Sequence, residues 1–385
     1  MNRFRTAHAT GEDWAHAARD CCEALGPIPA LLPGMVWQGL VYTTGHLTGD
    51  LGSVLTYVRQ KTGIDRWSGT IGAGILADGW ECYDAPAVAM LIAQFPANSV
   101  RTLNTVSKGF EDLSPETRAW IDAETPGFAV VHGDPSTPHT LEAMDALATG
   151  MGRAFGGDLS SAFLVGGMTA SAGDHFQIAD HLTGGGVSGL AFSPEIEVAT
   201  ALTQGCMPMG ETHLVTDAVE NVIIGLDGRP ALSVLKEEAG ELLARDTRRI
   251  AGYVHVALPV VGSDTGDYMV RNLIAIDPER DWLGIAGEVS TGDRILFVRR
   301  DPASARADMD RMLSDLNARI SSRPRGALYF SCTARGPHMF GARGEEARIL
   351  QRGLGDDVPV IGFFGNGEIS NARLYTYSGV LTLFF

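Results

Sequence analysis

The sequence predicts an α/β (α+β) protein, with mixed sheets built from a repeated strand-helix-strand-turn-strand unit, covered by helices and arranged as two domains. Three observations carry this reading. One order of segments recurs three times, around residues 39–95, 127–193 and 325–385. Each copy has an apolar run and then, 31, 35 or 36 residues further on, a glycine ending a second run: Val41 to Gly72, Val131 to Gly166, and Tyr329 to Gly365. Each copy closes on a further apolar run, the last being LYTYSGVLTLFF. Strands joined through a helix run parallel with a right-handed crossover, and a strand that follows a glycine turn returns antiparallel. Each copy therefore specifies a small mixed sheet carrying helices.

The first copy reads GLVYTT, a helix over 54–61, TIGAG and APAVAMLIAQF. The second reads FAVVHGD, a helix in LEAMDALATGMG, SAFLVGGMTAS and GVSGLAFS; the third reads RGALYFSCTARG, a helix over 345–353, PVIGFFGNGEIS and the closing run. Ahead of them, Thr10-Gly11-Glu12-Asp13 is a capping-box pattern, and Trp14, Ala17, Ala18, Cys21, Cys22 and Leu25 recur at helical spacing. Pro27, Pro29 and Pro33 end that helix. The segment 96–126 is a linker with one helix starting at Ser114-Pro115-Glu116. After the second copy come a hairpin turning at Asp227-Gly228, a helix through ALSVLKEEAGELLARD, and four short strands in YVHVALPV, YMVRNLIAID, LGIAGEV and DRILFVRR, before a helix near 302–320. The domain expectation is a lead-in over 1–36, a first domain over 37–200 and a second over 201–385.

With 46 acidic against 30 basic residues the net charge is −16, a field that repels phosphate backbones and anionic membrane surfaces, so nucleic acid is not expected as a partner. The first twenty residues lack the apolar segment of a signal peptide, and no run approaches the roughly 20 apolar residues that span a bilayer. The expectation is a cytoplasmic protein without membrane insertion. Five cysteines, an odd number without a C-x-x-C pair, point to reduced thiols rather than a disulfide framework or a structural metal.

Gly184-Gly185-Gly186-Val187-Ser188-Gly189 matches the dinucleotide pattern letter for letter, but a strand and Pro194 follow where that fingerprint needs a helix. Asp174-His175 and Asp180-His181 form a local His/Asp cluster, read as solvated loop residues. A haem or metal would have to rest on a lone histidine such as His132, His213 or His338. The third copy is richer. Gly365 aligns with Gly72 and Gly166 and is read as a demand of the turn, whereas Glu368 stands where the other copies have Ile75 and Thr169. Ligands collect at the carboxyl ends of parallel strands, which places Cys332, Thr333 and Arg335 beside Asn366, Gly367 and Glu368. Glu368 could instead pair with Arg335 or Arg373. Cys332, close to Arg335 at a strand end, has the setting of a nucleophile with a lowered pKa, or of a thiol packed against the turn.

The run from GALYFSCTARG through GFFGNGEIS to LYTYSGVLTLFF resembles the end of the FIST C domain of the F-box and intracellular signal transduction family. GCMPMG, VTDAVENVIIGLDGRPAL and YMVRNLIAID are similar to its earlier part, and LVYTTGH, VVHGD and FLVGGMTAS resemble the FIST N domain. The resemblance implies a stand-alone intracellular sensory protein that binds a small ligand, such as an amino acid or similar metabolite, and signals to a partner protein. The expected ligand contacts are Cys332, Thr333, Arg335, Asn366, Gly367 and Glu368, with Arg271, Cys206 and Pro208 from the stretch before the third copy; Arg271 could clamp a carboxylate. No cofactor is expected. The alternatives are a haem-binding nitric-oxide sensor and a cysteine-nucleophile enzyme using Cys332 and Glu368.

Overall fold

The computed structural model describes residues 4–156, 161–244, 253–260 and 266–385. Two compact units emerge: one comprises Met1–Gln204, Ala307–Leu374 and Ser378–Phe385, the other Gly205–Arg306 and Tyr375–Tyr377. In chain order, strands β1 (Phe4–Thr10), β2 (Met35–Thr44), β3 (Trp67–Gly72), β4 (Gly74–Ala77), β5 (Trp80–Cys82) and β6 (Ala87–Pro96) form the first repeat with helices Trp14–Leu25 and Leu51–Thr62. The second repeat has β7 (Val100–Val106), β8 (Phe128–Gly133), β9 (Phe163–Met168), β10 (Gln177–Ala179), β11 (Leu182–Thr183) and β12 (Val187–Phe192), with helices Pro115–Glu124 and Thr140–Gly156.

The third repeat opens with β13 (Val198–Gln204) and is then interrupted by the second unit: β14 (Cys206–Pro208), β15 (His213–Val219), β16 (Val222–Leu226), β17 (Arg229–Pro230), helix Ala231–Ala244, β18 (Val254–Pro259), β19 (Tyr268–Asp277), β20 (Trp282–Ile285) and β21 (Arg294–Arg300). It resumes with helix Pro302–Arg319, β22 (Gly326–Cys332), helices Pro337–Phe340 and Glu345–Leu354, β23 (Val360–Gly365), β24 (Glu368–Ser370), β25 (Arg373–Tyr375) and β26 (Ser378–Phe384). The last two residues of the helix read in ALSVLKEEAGELLARD, 245–246, lie outside the described residues.

The parallel pairs and antiparallel returns are as expected: β2 with β3, β8 with β9 and β22 with β23 run parallel, while β6, β12 and β26 return antiparallel to the first strand of each pair. The glycine-rich segment between them is not a simple turn. From β3 the chain crosses to the third sheet, where β4 pairs with β23; from β9 it crosses to the first, where β10 pairs with β3; from β23 it crosses to the second, where β24 pairs with β9. Each repeat thus lends a strand to the next, and the exchange closes in a ring. Residues 4–10, read as part of a lead-in, form an edge strand on β6. Asp13 rather than Thr10 caps the first helix, its Oδ1 accepting the His16 N–H at 2.9 Å.

This pairing corrects the alignment of the copies. The equivalent glycines are Gly69, Gly166 and Gly362, each beside Val41, Val131 or Tyr329 of the parallel partner. A Cβ at any of them would lie 1.6 to 1.8 Å from that residue's carbonyl oxygen. Close approach is the shared demand, and it falls three residues before the turn glycines Gly72 and Gly365. Glu368 consequently matches Ile75 and Gln177, not Thr169.

Alternation along the strands splits the core into layers. Leu40, Tyr42, Leu91, Val130, Val165, Leu190, Phe330, Ile361, Phe363 and Val380 meet where the three sheets face one another. Val41, Ile71, Met90 and Ile92 point the other way, onto Ala17, Leu25, Val54 and Val58 of the first repeat's helices. With both faces covered, Gly39 to Thr44 and Ala87 to Phe95 are buried without a break.

In the second unit, β15, β16, β20, β19, β18 and β21 pair antiparallel in succession and β21 returns to β15, closing a barrel. Leu232, Val234 and Leu235 of helix Ala231–Ala244 fill it with Val215, Val256, Leu283 and Phe297. The four strands and the Asp227-Gly228 hairpin are where the sequence placed them, with Asp227 and Gly228 at φ 50° and 75°.

Candidate ligand site

At the carboxyl ends of the three parallel pairs, the residues four positions past Gly69, Gly166 and Gly362 form a collar. The Ala73 N–H donates to the Phe364 carbonyl at 2.9 Å, Ala170 to Ile71 at 3.0 Å, and Asn366 to Met168 at 3.1 Å. Each bond joins one repeat to another, and the three donors are equivalent positions. Over the collar lies a cavity of about 430 Å³, whose wall also includes Gly45, His46, Tyr83 and Ser171. Ser171 is fixed by a 2.8 Å hydrogen bond with Thr48, and Asn366 is exposed, its Nδ2 3.4 Å from the Thr169 carbonyl. Tyr83 donates to Glu81 at 2.9 Å, and the two Glu81 oxygens accept the Gly344 and Ala347 N–H groups at the start of helix Glu345–Leu354. Burial pushes the Glu81 carboxyl up despite these donors. Glu81 and Tyr83 were not singled out in the sequence, because their role depends on a helix more than 250 residues away.

Beneath the collar, three further equivalent positions are Tyr42, His132 and Phe330. The Tyr42 hydroxyl lies 3.1 Å from His132 Nε2, and the Tyr42 ring packs on Phe330 and Phe363. Complete burial lowers the His132 pKa to about 3, so its imidazole is neutral. Of the other histidines weighed as lone ligands, His213 bridges Asp227 (2.6 Å) and Glu238 (2.8 Å), and His338 is exposed. Among the described residues no three His, Cys, Asp or Glu side chains converge to hold a metal ion.

The expected contacts divide between the two units. Cys206, Pro208 and Arg271 belong to the barrel unit, the other six to the first. Pro208 is exposed and pairs with Val298, the Cys206 carbonyl accepts the Tyr268 hydroxyl at 2.5 Å, and Arg271 Nη1 donates to the Val270 carbonyl at 3.0 Å. Of the six expected contacts in the first unit, only Asn366 lines the collar cavity. Thr333 and Gly367 act through the backbone: the Thr333 N–H donates to Gly365, and the Gly367 carbonyl accepts Met168 N–H.

Arg335, Glu368 and Cys332 lie in the interior at 0%, 0% and 5% exposure. Arg335 pairs with Glu346, not Glu368: Glu346 Oε1 accepts Arg335 Nε, Tyr329 Oη and Ser331 Oγ, each at 2.8 Å, and Oε2 accepts Gly336 N–H at 2.9 Å. Burial, the largest single influence, would lower the guanidinium pKa, but the charge and hydrogen bond of Glu346 with the charges of Tyr329 and Glu368 together outweigh it, and the net direction is up. Arg373 forms no ion pair with Glu368 either. Glu368 Oε2 accepts the Ser378 N–H and Oγ at 3.2 and 2.6 Å, and burial pushes its carboxyl up to about 8. Arg335 Nη1 and Glu368 Oε1 have no hydrogen-bond partner among the described residues.

Comparison with known proteins gives first the class: these are sensory, signal-transduction domains. The chain belongs to the FIST family, since the FIST N domain matches residues 38–229 and the FIST C domain residues 231–371. It is 31% identical over 394 residues to an uncharacterized protein of Mycobacterium tuberculosis, covering 98% of this chain and 96% of that one. It is 30% identical over 368 residues to an uncharacterized protein of Mycobacterium bovis, covering 92% and 89%. Among solved structures it superposes on a cyanuric acid hydrolase from A. caulinodans with a TM-score of 0.36 and 9% identity, covering 100% of this chain and 99% of that one. No helix among the described residues is long and apolar enough to cross a membrane.

Proposed function

We propose that the protein is a sensory module whose ligand, a compact polar metabolite of amino-acid size, binds in the collar cavity and whose occupied state is read by a partner protein. The observation that carries this reading is Asn366. At three equivalent collar positions two residues are alanine and one is an asparagine whose side chain lines the cavity. That breaks the symmetry of the collar and gives a ligand one direction in which to hydrogen-bond. The cavity volume lies in the range of small-molecule sites. Neither lysine nor arginine is in its wall, so a polyphosphate would find no counter-charge there.

The test is a thermal-shift screen of amino acids, nucleotides and haem against the wild type and Asn366→Ala. A ligand at about 100 times its Kd stabilises by about 2.7 kcal/mol, a shift of several degrees. The expected result is a shift with one or more compact metabolites that Asn366→Ala weakens about tenfold while keeping the wild-type melting point without ligand, since alanine already serves at the two equivalent positions. Equal binding by the variant excludes the collar, and a panel without any shift overturns the sensory reading of this cavity.

A further inference from the structure

A second cavity, of about 420 Å³, lies in the first unit where β10 of the second repeat joins β3 of the first, beside β7. Arg66, immediately before β3, and Arg101, on β7, both line it, with Thr102, Asn104, Asp180 and His181. Both arginines are half-buried, and among the described residues neither makes an ion pair or a side-chain hydrogen bond. In a chain with 46 carboxylates to 30 basic side chains, two guanidinium groups without an ion-pair partner in one cavity concentrate positive charge there.

The first repeat shows the same place closed by its own side chains. Asp78 and Asp180 are equivalent: both have left-handed backbone, φ 45° and 60°, and each Oδ1 accepts the first N–H of the strand it meets, Val360 and Trp67, at 2.9 Å. Register likewise matches Arg5 and Thr6 of β1 with Arg101 and Thr102 of β7. In the first repeat Arg5 donates to the Leu25 and Pro27 carbonyls, Thr6 donates to Asp78 Oδ2 at 2.5 Å, and His8 stacks on Trp80 at 4.5 Å. In the second repeat the matching arginine and threonine have no such partners, and a cavity stands in place of the stacked rings.

We infer that this cavity binds a small oxyanion, the phosphoryl or carboxylate group of a metabolite, clamped by Arg66 and Arg101 with His181 and the Thr102 hydroxyl as further donors. Guanidinium forks match the planar pair of oxygens that such groups present. Two carboxylates oppose the anion: Asp180, whose Oδ1 is taken by Trp67 N–H, and Glu116, which feels the Arg101 charge from beyond ion-pair distance. The site is separate from the collar cavity and independent of the reading given to it.

The experiment is calorimetric titration of the full chain with inorganic phosphate and, separately, succinate at constant ionic strength. Saturable binding of at least one anion is expected below about 10 mM, weakened about tenfold or more in Arg66→Gln and in Arg101→Gln. Arg153→Gln, the same charge change at an exposed helical position outside the cavity, is expected to bind as the wild type. Binding of phosphate alone assigns a phosphoryl ligand, of succinate alone a carboxylate, and of both an oxyanion in general. Absence of saturable binding by both anions overturns the inference, as does binding that survives in Arg66→Gln/Arg101→Gln. Should one single variant fail to fold, the other and the wild-type titration still decide.

Discussion

Glu368 and Gln177 occupy the same place in two repeats. Each opens the strand its repeat lends to a neighbour, pairing with Gly167 or Thr70, and each is fully buried. Gln177 accepts the Ser188 hydroxyl at 2.5 Å and donates to the Gly186 carbonyl at 3.0 Å; Glu368 accepts both the N–H and the hydroxyl of Ser378. One repeat uses a neutral amide where another holds an ionisable carboxyl.

Glu368 should therefore make stability pH-dependent. Its folded-state pKa, near 8, lies above the ordinary 4.5, so the native protein holds a proton that the unfolded chain releases. The stability that this proton confers is complete below about pH 4.5, declines as pH rises and is lost by about pH 8. Glu368→Gln, copying the second repeat, is expected to remove this component: urea unfolding at pH 5 and pH 8.5 should differ less in the variant, by about 1 kcal/mol or more. An unchanged pH profile refutes the assignment.

Removing the partner of a buried cation is expected to be costly. Glu346→Ala leaves Arg335 charged and fully buried, and a loss of about 3–5 kcal/mol is expected. Arg335→Met in the same chain should recover part of it, because the orphaned charge is then gone. A single-variant loss under about 1 kcal/mol, measured by urea unfolding, contradicts the network described above.

The interlocking glycines should tolerate no side chain. Gly362→Ala sets a Cβ 1.6 Å from the Tyr329 carbonyl oxygen, and Gly166→Ala one 1.8 Å from that of Val131. Both variants are expected to lose about 3 kcal/mol or more, or to fail to fold, as judged by soluble yield and melting by circular dichroism. Gly49→Ala, with nothing within 4 Å of the added carbon, should melt within a few degrees of the wild type.

All five thiols should resist alkylation in the native state. Cys21, Cys82, Cys206 and Cys332 are buried, and burial pushes the half-buried Cys22 up to about 11, which leaves little thiolate. Iodoacetamide at neutral pH followed by mass spectrometry should modify them only after unfolding. Rapid labelling of Cys332, blocked by a small metabolite, would favour the cysteine-nucleophile alternative instead.

Much of the fold was legible because it is written locally. Helices such as Leu51–Thr62 and Glu345–Leu354 show their period in the sequence, and apolar runs such as those of β2, β8 and β22 mark strands covered on both faces. The edge strand FRTAHAT escaped notice because only Phe4 and Ala7 are buried in it. The lent strands escaped because each has only three or four residues and takes its hydrogen bonds from a distant repeat, so no local pattern marks them. The glycine alignment slipped in the second repeat for a related reason: connecting lengths differ, and only the parallel register reveals which glycine faces which carbonyl. Of the candidate contacts, Asn366 lines the cavity, while Arg335 and Glu368 bind within the chain; the sequence offered their charges but not Glu346, their neighbour in the fold.

By itself, then, the sequence determined that three copies of one α/β unit exist, that a strand-rich segment lies between the second and the third, and to which family the pattern is similar. Spacing, period and turn chemistry act over a few residues and suffice for that. Only the tertiary structure decided that the repeats exchange strands in a ring, that the interrupting strands close into a barrel, and that Ala73, Ala170 and Asn366 share one collar. Those outcomes depend on pairing between residues scores to hundreds of positions apart, where the energy lies in buried surface and in backbone hydrogen bonds that no single segment can specify.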